Sequence, residues 1–264
     1  MAAMNRFFPK RSLRNMNFCF IRVALCHLCL VASAIEEDLD ATEIVRRSDD
    51  LLRRLESYAK VEMKIVRPDW HRTLVIEGWT QGASNSLMRV LSPKKEKGVM
   101  FLKKNREAWQ YVPAIDRIIK IPPSMMLQSW MGSDFTNDDI VRSESLVVDY
   151  THQIIDEMEQ EGARFWIIEG IPKPDAPVVW GKIMFKIQQN NFVPNRADFF
   201  DEEDTVVKYY QTTDIENVEG VDVATCFTMY DKSRPGYSTT LTYRDITFSP
   251  NLENNLFSVR NLRR

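Results

Sequence analysis

The chain is poor in the side chains that build disulfide frameworks and transition-metal centres. Its 264 residues include 4 Cys and 3 His. Three of the cysteines precede residue 35, namely Cys19, Cys26 and Cys29. Cys226 alone follows, so we expect the main part of the chain to be held together by an apolar core without a disulfide. His71 and His152 are distant in sequence, and we expect no metal site and no cofactor.

Catalytic signatures are equally scarce. The sequence has no G-x-S-x-G elbow, no phosphate-binding P-loop and no G-x-G-x-x-G fingerprint. Asp134, Asp138 and Asp139 are close enough in sequence to suggest a carboxylate pair or a calcium site. Their position at the start of a short helix gives a simpler explanation, because acidic residues stabilise the first turn. The sequence therefore predicts a protein that is not an enzyme, with a secreted hydrolase as a weaker alternative.

Long hydrophobic runs are missing except for one short stretch near the N-terminus. Residues 23–31 are apolar except for His27, follow a basic segment and are followed by Ala32-Ser33-Ala34. This order is typical of a secretory signal peptide, and we predict cleavage after Ala34. Arg22 shortens the run below the ~20 residues that span a bilayer, which argues against a retained anchor. A secretory signal peptide directs export across the inner membrane, so we predict a periplasmic protein.

Charge is unevenly distributed along the chain. The formal net charge is -2, yet residues 1–34 contain five basic and no acidic side chains. The remaining residues carry 30 basic and 37 acidic side chains, a net charge of -7. An acidic protein of this kind is not expected to bind nucleic acid.

After the predicted signal peptide, the spacing of apolar residues changes from that of a helix to that of a strand. Apolar residues at spacings of three and four predict a helix over 40–58, capped by Thr42. From Val61 onward the period is two, and about eleven strands are predicted up to Ser238–Phe248. A helical insertion interrupts them at 124–142, with Thr136 capping its second helix. With no helices of the βαβ type, the strands predict an antiparallel meander within a single domain, residues 35–264.

Large apolar side chains occur in two settings. Met125, Met126, Trp130 and Met131 share the insertion, where methionine packs adaptably against varied partners. A set of aromatic residues lies on predicted strands: Trp79, Phe101, Trp109, Tyr111, Phe165 and Trp166. Both groups are compatible with an ordinary core, and periodicity alone does not distinguish that reading from the lining of a cavity.

Two segments carry a family resemblance. Residues 91–121 contain Leu91-Ser92-Pro93, Lys97–Leu102, Ala108–Pro113 and Arg117–Ile121, and Ser129–Ile140 includes Met131-Gly132-Ser133-Asp134-Phe135. Together with the strand order and the leading helix, they resemble the outer-membrane lipoprotein-sorting family, the LolA-like periplasmic carriers in their broader branch. The resemblance runs from about residue 40 to the C-terminus.

The resemblance implies a mainly β fold with helices, in which a strongly curved antiparallel sheet forms an unclosed β-barrel. The N-terminal helix and a helical lid would cover an apolar cavity. It also implies a set of residues for the cargo cavity and its lid: Trp79, Met88, Phe101, Trp109, Tyr111, Met125, Met126, Leu127, Trp130, Met131 and Phe135. Arg89 and Arg117 are the candidates for latching the lid.

The function implied is that of a monomeric periplasmic carrier of lipoprotein or other lipid cargo. Such a protein would receive acyl chains from an inner-membrane transporter and would touch a membrane only transiently. Enclosing acyl chains is favourable by ~0.8 kcal/mol per CH₂. The alternative is a non-enzymatic interaction subunit of an envelope ABC or RND-type exporter, with a barrel filled by its own aromatic residues and no cargo cavity.

Overall fold

Strands make up most of the molecule. The computed structural model describes residues 39–51, 56–141, 145–253 and 255–263, so the predicted leader lies outside the described residues. The described part contains thirteen strands rather than about eleven: β1 (Ser57–Arg67), β2 (Trp70–Gln81), β3 (Asn85–Ser92), β4 (Met100–Lys104), β5 (Glu107–Val112), β6 (Arg117–Lys120), β7 (Tyr150–Gln160), β8 (Ala163–Pro172), β9 (Lys182–Gln188), β10 (Pro194–Phe200), β11 (Val206–Val218), β12 (Val221–Asp231) and β13 (Ser238–Phe248).

Three α-helices are described, α1 (Ala41–Asp50), α2 (Asn137–Val141) and α3 (Ser145–Val148). Single 3-10 turns occur at Pro113–Ile115, Pro123–Met125, Trp130–Gly132 and Val259–Arg263. The helix expected over 40–58 is shorter than predicted, because β1 already begins at Ser57; residues 52–55 lie outside the described part. Thr42 does not cap α1. It lies in the first turn, and its hydroxyl is 3.3 Å from Nδ1 of His152.

All thirteen strands form one antiparallel sheet. The order β6-β5-β4-β3-β2-β1-β13-β12-β11-β10-β9-β8-β7 follows the chain except where β1 pairs with β13. That pairing joins the two ends of the meander in the middle of the sheet. The outermost strands are β6 and β7, which do not pair with each other, so the sheet is unclosed as predicted.

The sheet curves so that one face becomes an interior. Register shifts interrupt the pairing in several places, among them Lys60/Val61 on β1 and Thr212/Asp214 on β11. Bulges of this kind bend strands and increase twist. The same face of β1–β3 and of β9–β13 consequently lines a common space.

The concave face holds two apolar clusters. In the first, Ile44 and Val45 of α1 pack on residues of β7–β12, including Ile168, Phe185 and Phe199. In the second, inward residues of β1–β4 pack on the insertion between β6 and β7. The helices and the insertion thus cover the curved sheet from inside.

A third cluster lies on the convex face, where the C-terminal segment (residues 255–263) crosses β3–β6. Leu262 is fully buried there against Leu87, Met100 and Leu102. Partly buried residues extend this cluster: Trp79, Trp109, Tyr111, Ile118, Leu256 and Phe257. The convex apolar surface is therefore covered by the end of the chain itself.

Candidate functional site

A cavity of about 370 Å³ lies between the concave face and the elements that cover it. Its lining is mostly apolar and comes from distant parts of the chain. The helical side contributes Val45, Leu51, Ile140 and Leu146, with Trp130 from the insertion; the sheet side contributes Ile76, Met88, Phe185, Ile187, Tyr210, Phe227, Leu241 and Tyr243. The size falls within the range of about 300–1,000 Å³ typical of small-molecule sites.

The cavity exists because small residues meet at the centre of the concave face. Ala59 on β1 lies directly opposite Gly78 on β2, and Gly78 is opposite Met88 on β3. Ala224 on β12 and Ser86 on β3 also line the space. A Cβ atom at Gly78 would meet Cγ of Met88 at 3.5 Å, an ordinary contact. Glycine here leaves room rather than satisfying a backbone requirement.

Two charged groups at the cavity wall, Lys103 and Asp139, have polar partners. Lys103 donates from Nζ to the carbonyl oxygen of Ala83 at 2.6 Å. Asp139 forms an ion pair with Lys208 at 2.8 Å, and Lys208 is itself buried. Burial raises the pKa of Tyr210 above its ordinary value, so its phenol stays neutral. The wall can therefore contact apolar ligands without leaving an isolated charge in a dry site.

Asp139 also has the structural role expected of an acidic residue at a helix start. Its backbone N–H donates to Oγ1 of Thr136 at 3.1 Å, and its Oδ2 accepts from the N–H of Thr136 at 2.8 Å. This reciprocal arrangement caps α2 as a capping box does. The prediction of a Thr136 cap is confirmed.

The lid segment, residues 125–135, is not the helix that the sequence predicts. It consists of turns, because Met131 (φ 53°) and Gly132 (φ 75°) both adopt the left-handed region and prevent a helix. Met126 and Trp130 are buried, and the Trp130 ring lies 5.3 Å from that of Phe101. Met125 and the 61% exposed Leu127 face outward.

Two arginines near the turn between β1 and β2 hold the lid segment in place. Arg67 donates from Nη1 to Oδ2 of Asp134 at 2.9 Å and from Nη2 to the carbonyl oxygen of Gly132 at 2.7 Å. Arg72 donates to the carbonyl oxygen of Met131 and pairs with Glu96 at 3.2 Å. Asp134 also accepts at Oδ2 from the hydroxyl of Thr239 at 2.6 Å.

The two arginines proposed from sequence as latches lie elsewhere. Arg89 pairs with Glu77 at 2.5 Å on the convex face, with its guanidinium over the Trp79 ring. Arg117 is exposed on β6. Arg67 and Arg72, rather than these two candidates, contact the lid segment. Nothing in the local sequence marks Arg67 and Arg72, since the lid residues that accept their hydrogen bonds are 65 and 59 positions away along the chain.

The predicted cavity residues separate into two faces. Met88 and Trp130 line the main cavity, and Phe101 lines a small one beside it. Phe135 is buried in the α1 cluster, and Met131 packs against the insertion cluster. Trp79, Trp109 and Tyr111 are placed on the convex face, in the cluster around Leu262. These three assignments are corrected, because residues alternate between faces. Gly78 and Thr80 beside Trp79 line the cavity, and Ala108 beside Trp109 packs in the concave cluster.

Sequence reasoning also missed the cavity wall formed by the second half of the sheet. Phe185, Tyr210 and Phe227 lie on β9, β11 and β12 and line the cavity beside Ala224. Alternation places them on one face of their strands. Alternation does not tell which face becomes concave, so the sequence pattern groups these residues without showing that they line a cavity.

The two histidines occupy different environments. His71 is exposed at the start of β2. His152 is partly buried, with Nε2 donating to the carbonyl oxygen of Leu146 at 2.9 Å. Burial lowers the pKa of His152. In the part of the chain that the structure describes, no three His, Cys, Asp or Glu side chains are grouped as metal ligands. No helix of that same part is both long and apolar enough to cross a membrane.

The unclosed antiparallel sheet with helices on its concave face defines a LolA-type fold, and comparisons with solved structures agree. A DUF1329 family protein from Desulfovibrio piger superposes with a TM-score of 0.77 at 21% identity, covering 84% of this chain and 97% of that one. A domain from Vibrio parahaemolyticus described as outer membrane lipoprotein-sorting gives 0.74 at 20% identity, with 85% and 98% covered. A LolA superfamily protein from Nitrosomonas europaea gives 0.70 at 21%, with 84% and 99% covered.

The resemblance predicted from the sequence is thus confirmed at the level of the fold. A protein-family model whose description reads "Uncharacterized protein" matches residues 82–264, and the chain belongs to that family. The comparison with curated proteins gave no match.

Proposed function

We propose that residues 35–264 act as a single periplasmic domain that carries lipid or lipoprotein acyl chains in the concave cavity. The observation that supports this most directly is the 370 Å³ space, whose wall is mostly apolar and in which Lys103 and Asp139 have polar partners. Burying a chain there removes apolar surface from water at about 25 cal/mol per Å². The likeness to a domain described as outer membrane lipoprotein-sorting supports the same proposal.

The lid segment fits a carrier that must also release its cargo. Trp130 lines the cavity, and Met126 is buried in the same apolar cluster. The segment is tied to the sheet by hydrogen bonds from Arg67, Arg72 and Thr239. A few polar contacts at one end can be exchanged more readily than a continuous strand pairing. We propose that the carrier is a monomer without catalytic activity, loaded by an inner-membrane transporter.

Lipid analysis of the naturally processed protein tests this proposal. The full chain, expressed with a C-terminal tag, would be purified from the soluble envelope fraction without detergent and examined by native mass spectrometry and lipid extraction. We expect bound lipid in stoichiometric amount, released when the protein is denatured. A chain that purifies empty and takes up no acyl lipid after incubation with vesicles would contradict the proposal.

The same measurement addresses the alternative, an exporter subunit without cargo. Such a subunit would co-purify with a transporter and contain no lipid. The open centre of the concave face, formed at Ala59 and Gly78, favours the carrier, since a purely structural barrel would be expected to fill that space.

A further inference from the structure

Trp70 projects from the end of the sheet where the lid segment is anchored. It is 48% exposed, and of the tryptophans in the described residues it is the one whose side chain faces solvent. The guanidinium carbons of Arg67 and Arg72 lie 5.8 and 5.9 Å from the centre of its ring. Pro68 and Asp69, which form the turn before it, are exposed as well.

Basic side chains surround this turn on both sides. The salt bridge between Arg72 and Glu96 attaches the loop 93–98, whose Lys94, Lys95 and Lys97 are all exposed. On the other side, the turn between β12 and β13 brings Arg234, which stacks 4.6 Å from the Tyr237 ring. We define the tip patch by these residues: Trp70, Arg72, Lys94, Lys95, Lys97 and Arg234.

The tip patch is positive on a protein that is otherwise acidic. Two of the nearby acidic residues are engaged, Glu96 by Arg72 and Asp231 by Arg234 at 2.5 Å. The exposed Asp69 in the turn itself is outnumbered by Lys94, Lys95 and Lys97. The three lysines thus give the tip a local excess of positive charge, against a net charge of -7 for residues 35–264. An anionic surface would be attracted to this end of the molecule and repelled by the rest.

We propose that the tip patch docks on an anionic phospholipid membrane surface. Tryptophan is favoured at the level of lipid headgroups, and each Lys or Arg near an anionic leaflet contributes about 1 kcal/mol. The patch is a protruding turn with long cationic side chains, not a groove that would enclose a peptide. This inference rests on the proposed carrier function, which requires the protein to meet a membrane.

Docking at the tip patch would also place the lid anchor at the membrane. Arg72 belongs to the patch and donates to the carbonyl oxygen of Met131 in the lid segment. A lipid phosphate that binds Arg72 competes with that carbonyl, since both accept from the same guanidinium. Contact with the membrane is thereby coupled to loosening of the lid.

Vesicle flotation of the naturally processed chain tests the docking. The vesicles would consist of phosphatidylcholine alone or of phosphatidylcholine mixed with phosphatidylglycerol. We expect the chain to float with the anionic vesicles, less with the neutral ones, and less again when salt is raised. K94Q/K95Q should weaken binding to anionic vesicles by about fivefold for each lysine, and Trp70→Ala should weaken it too.

The matched control is K104Q/R106Q, which removes the same charge at the opposite end of β4, where both side chains are exposed. It should leave flotation unchanged. Equal losses from the two charge pairs, or no flotation of the unmodified chain, would overturn the proposal. If the tip patch instead binds an acidic protein, the unmodified chain is not expected to float with the vesicles.

Cargo measured on the same samples separates the two proposals. K94Q/K95Q should keep its bound lipid while losing vesicle binding. If the unmodified chain contains lipid but does not float with anionic vesicles, the docking is refuted and the carrier proposal stands. A chain that floats through the patch but holds no lipid supports the docking and refutes the carrier.

Discussion

Among single residues, Arg67 and Asp134 form the most deeply buried ion pair of the described structure, with side chains 7% and 1% exposed. Arg67 also lies 4.8 Å from the Tyr237 ring and donates to the carbonyl oxygen of Gly132. One side chain therefore fixes a turn, an aromatic residue and the lid segment. Removing one partner of such a pair leaves a buried charge without compensation.

Asp134→Ala should destabilise the protein by about 3 kcal/mol and make the lid segment more accessible to protease. Equilibrium denaturation and limited proteolysis with mapped cleavage sites measure the two effects. Glu62→Ala serves as the control, because Glu62 pairs with Arg244 at 3.4 Å on the solvent-facing side and such pairs contribute at most about 1 kcal/mol. Similar losses from both substitutions would contradict the role given to Asp134.

His152 gives the stability a dependence on pH. Its pKa in the folded chain is lowered from 6.5, mainly because it is buried beside Phe185 between α1 and α3. The unfolded chain therefore binds the proton more tightly than the folded one, and stability rises with pH across this range. The contribution is complete above about pH 6.5 and is lost as the pH falls through the folded pKa.

Measuring the free energy of unfolding between neutral and mildly acidic pH checks this sign. His152→Gln keeps a donor for the carbonyl of Leu146 but does not titrate, so its pH dependence should be flatter than that of the unmodified chain. Parallel curves for the two proteins would show that other groups, not His152, carry the effect.

Among the elements, the C-terminal segment covers the convex face of the sheet, a role that its sequence does not indicate. It crosses the convex face and covers Trp109 and Tyr111, and Arg263 pairs with Asp116 at 3.5 Å. Without it, several aromatic side chains would form an exposed apolar patch of the kind that promotes association. The segment therefore completes the outside of the sheet, as α1 and the lid segment complete the inside.

Leu262→Ala should lower the free energy of unfolding by about 2–4 kcal/mol, since Leu262 is fully buried and its loss leaves a cavity. Val259→Ala, in the same 3-10 turn but partly exposed, should change it by less than about 1 kcal/mol. Denaturant titration gives both values. A small effect at Leu262 would mean that the segment does not pack as described.

At the scale of the whole molecule, the centre of the concave face leaves room for cargo and thereby lowers the stability of the fold. Gly78 in a strand interior is less favourable than a β-branched residue, by up to about 1 kcal/mol. Its retention leaves the space between Ala59 and Met88 open. The same substitution should therefore raise stability and reduce the capacity for cargo.

Gly78→Val tests this opposition, because its Cβ fits beside Met88 and its methyl groups project into the cavity. We expect a higher melting temperature together with less bound lipid by native mass spectrometry. Thr73→Val places valine on the convex side of β2 and should leave the lipid content unchanged. Unaltered cargo in Gly78→Val would show that acyl chains do not occupy this cavity.

The sequence by itself determined most of the strands and the start of α2. Alternating residues predicted the strands, and Thr136 with Asp139 marked the start of α2, because caps and periods are local effects. Residues 91–140 also carried enough of the family pattern to indicate the fold. These features depend on residues a few positions apart, which the sequence displays directly.

Only the tertiary structure decided which face of each strand is the interior. Trp79 and Gly78 are adjacent in sequence, yet the tryptophan packs outside and the glycine opens the cavity. The choice depends on the direction in which the sheet curves and on the C-terminal segment that covers the convex side. The Arg67 anchor was equally hidden, because its partner Asp134 is 67 residues away and their meeting depends on the folded chain.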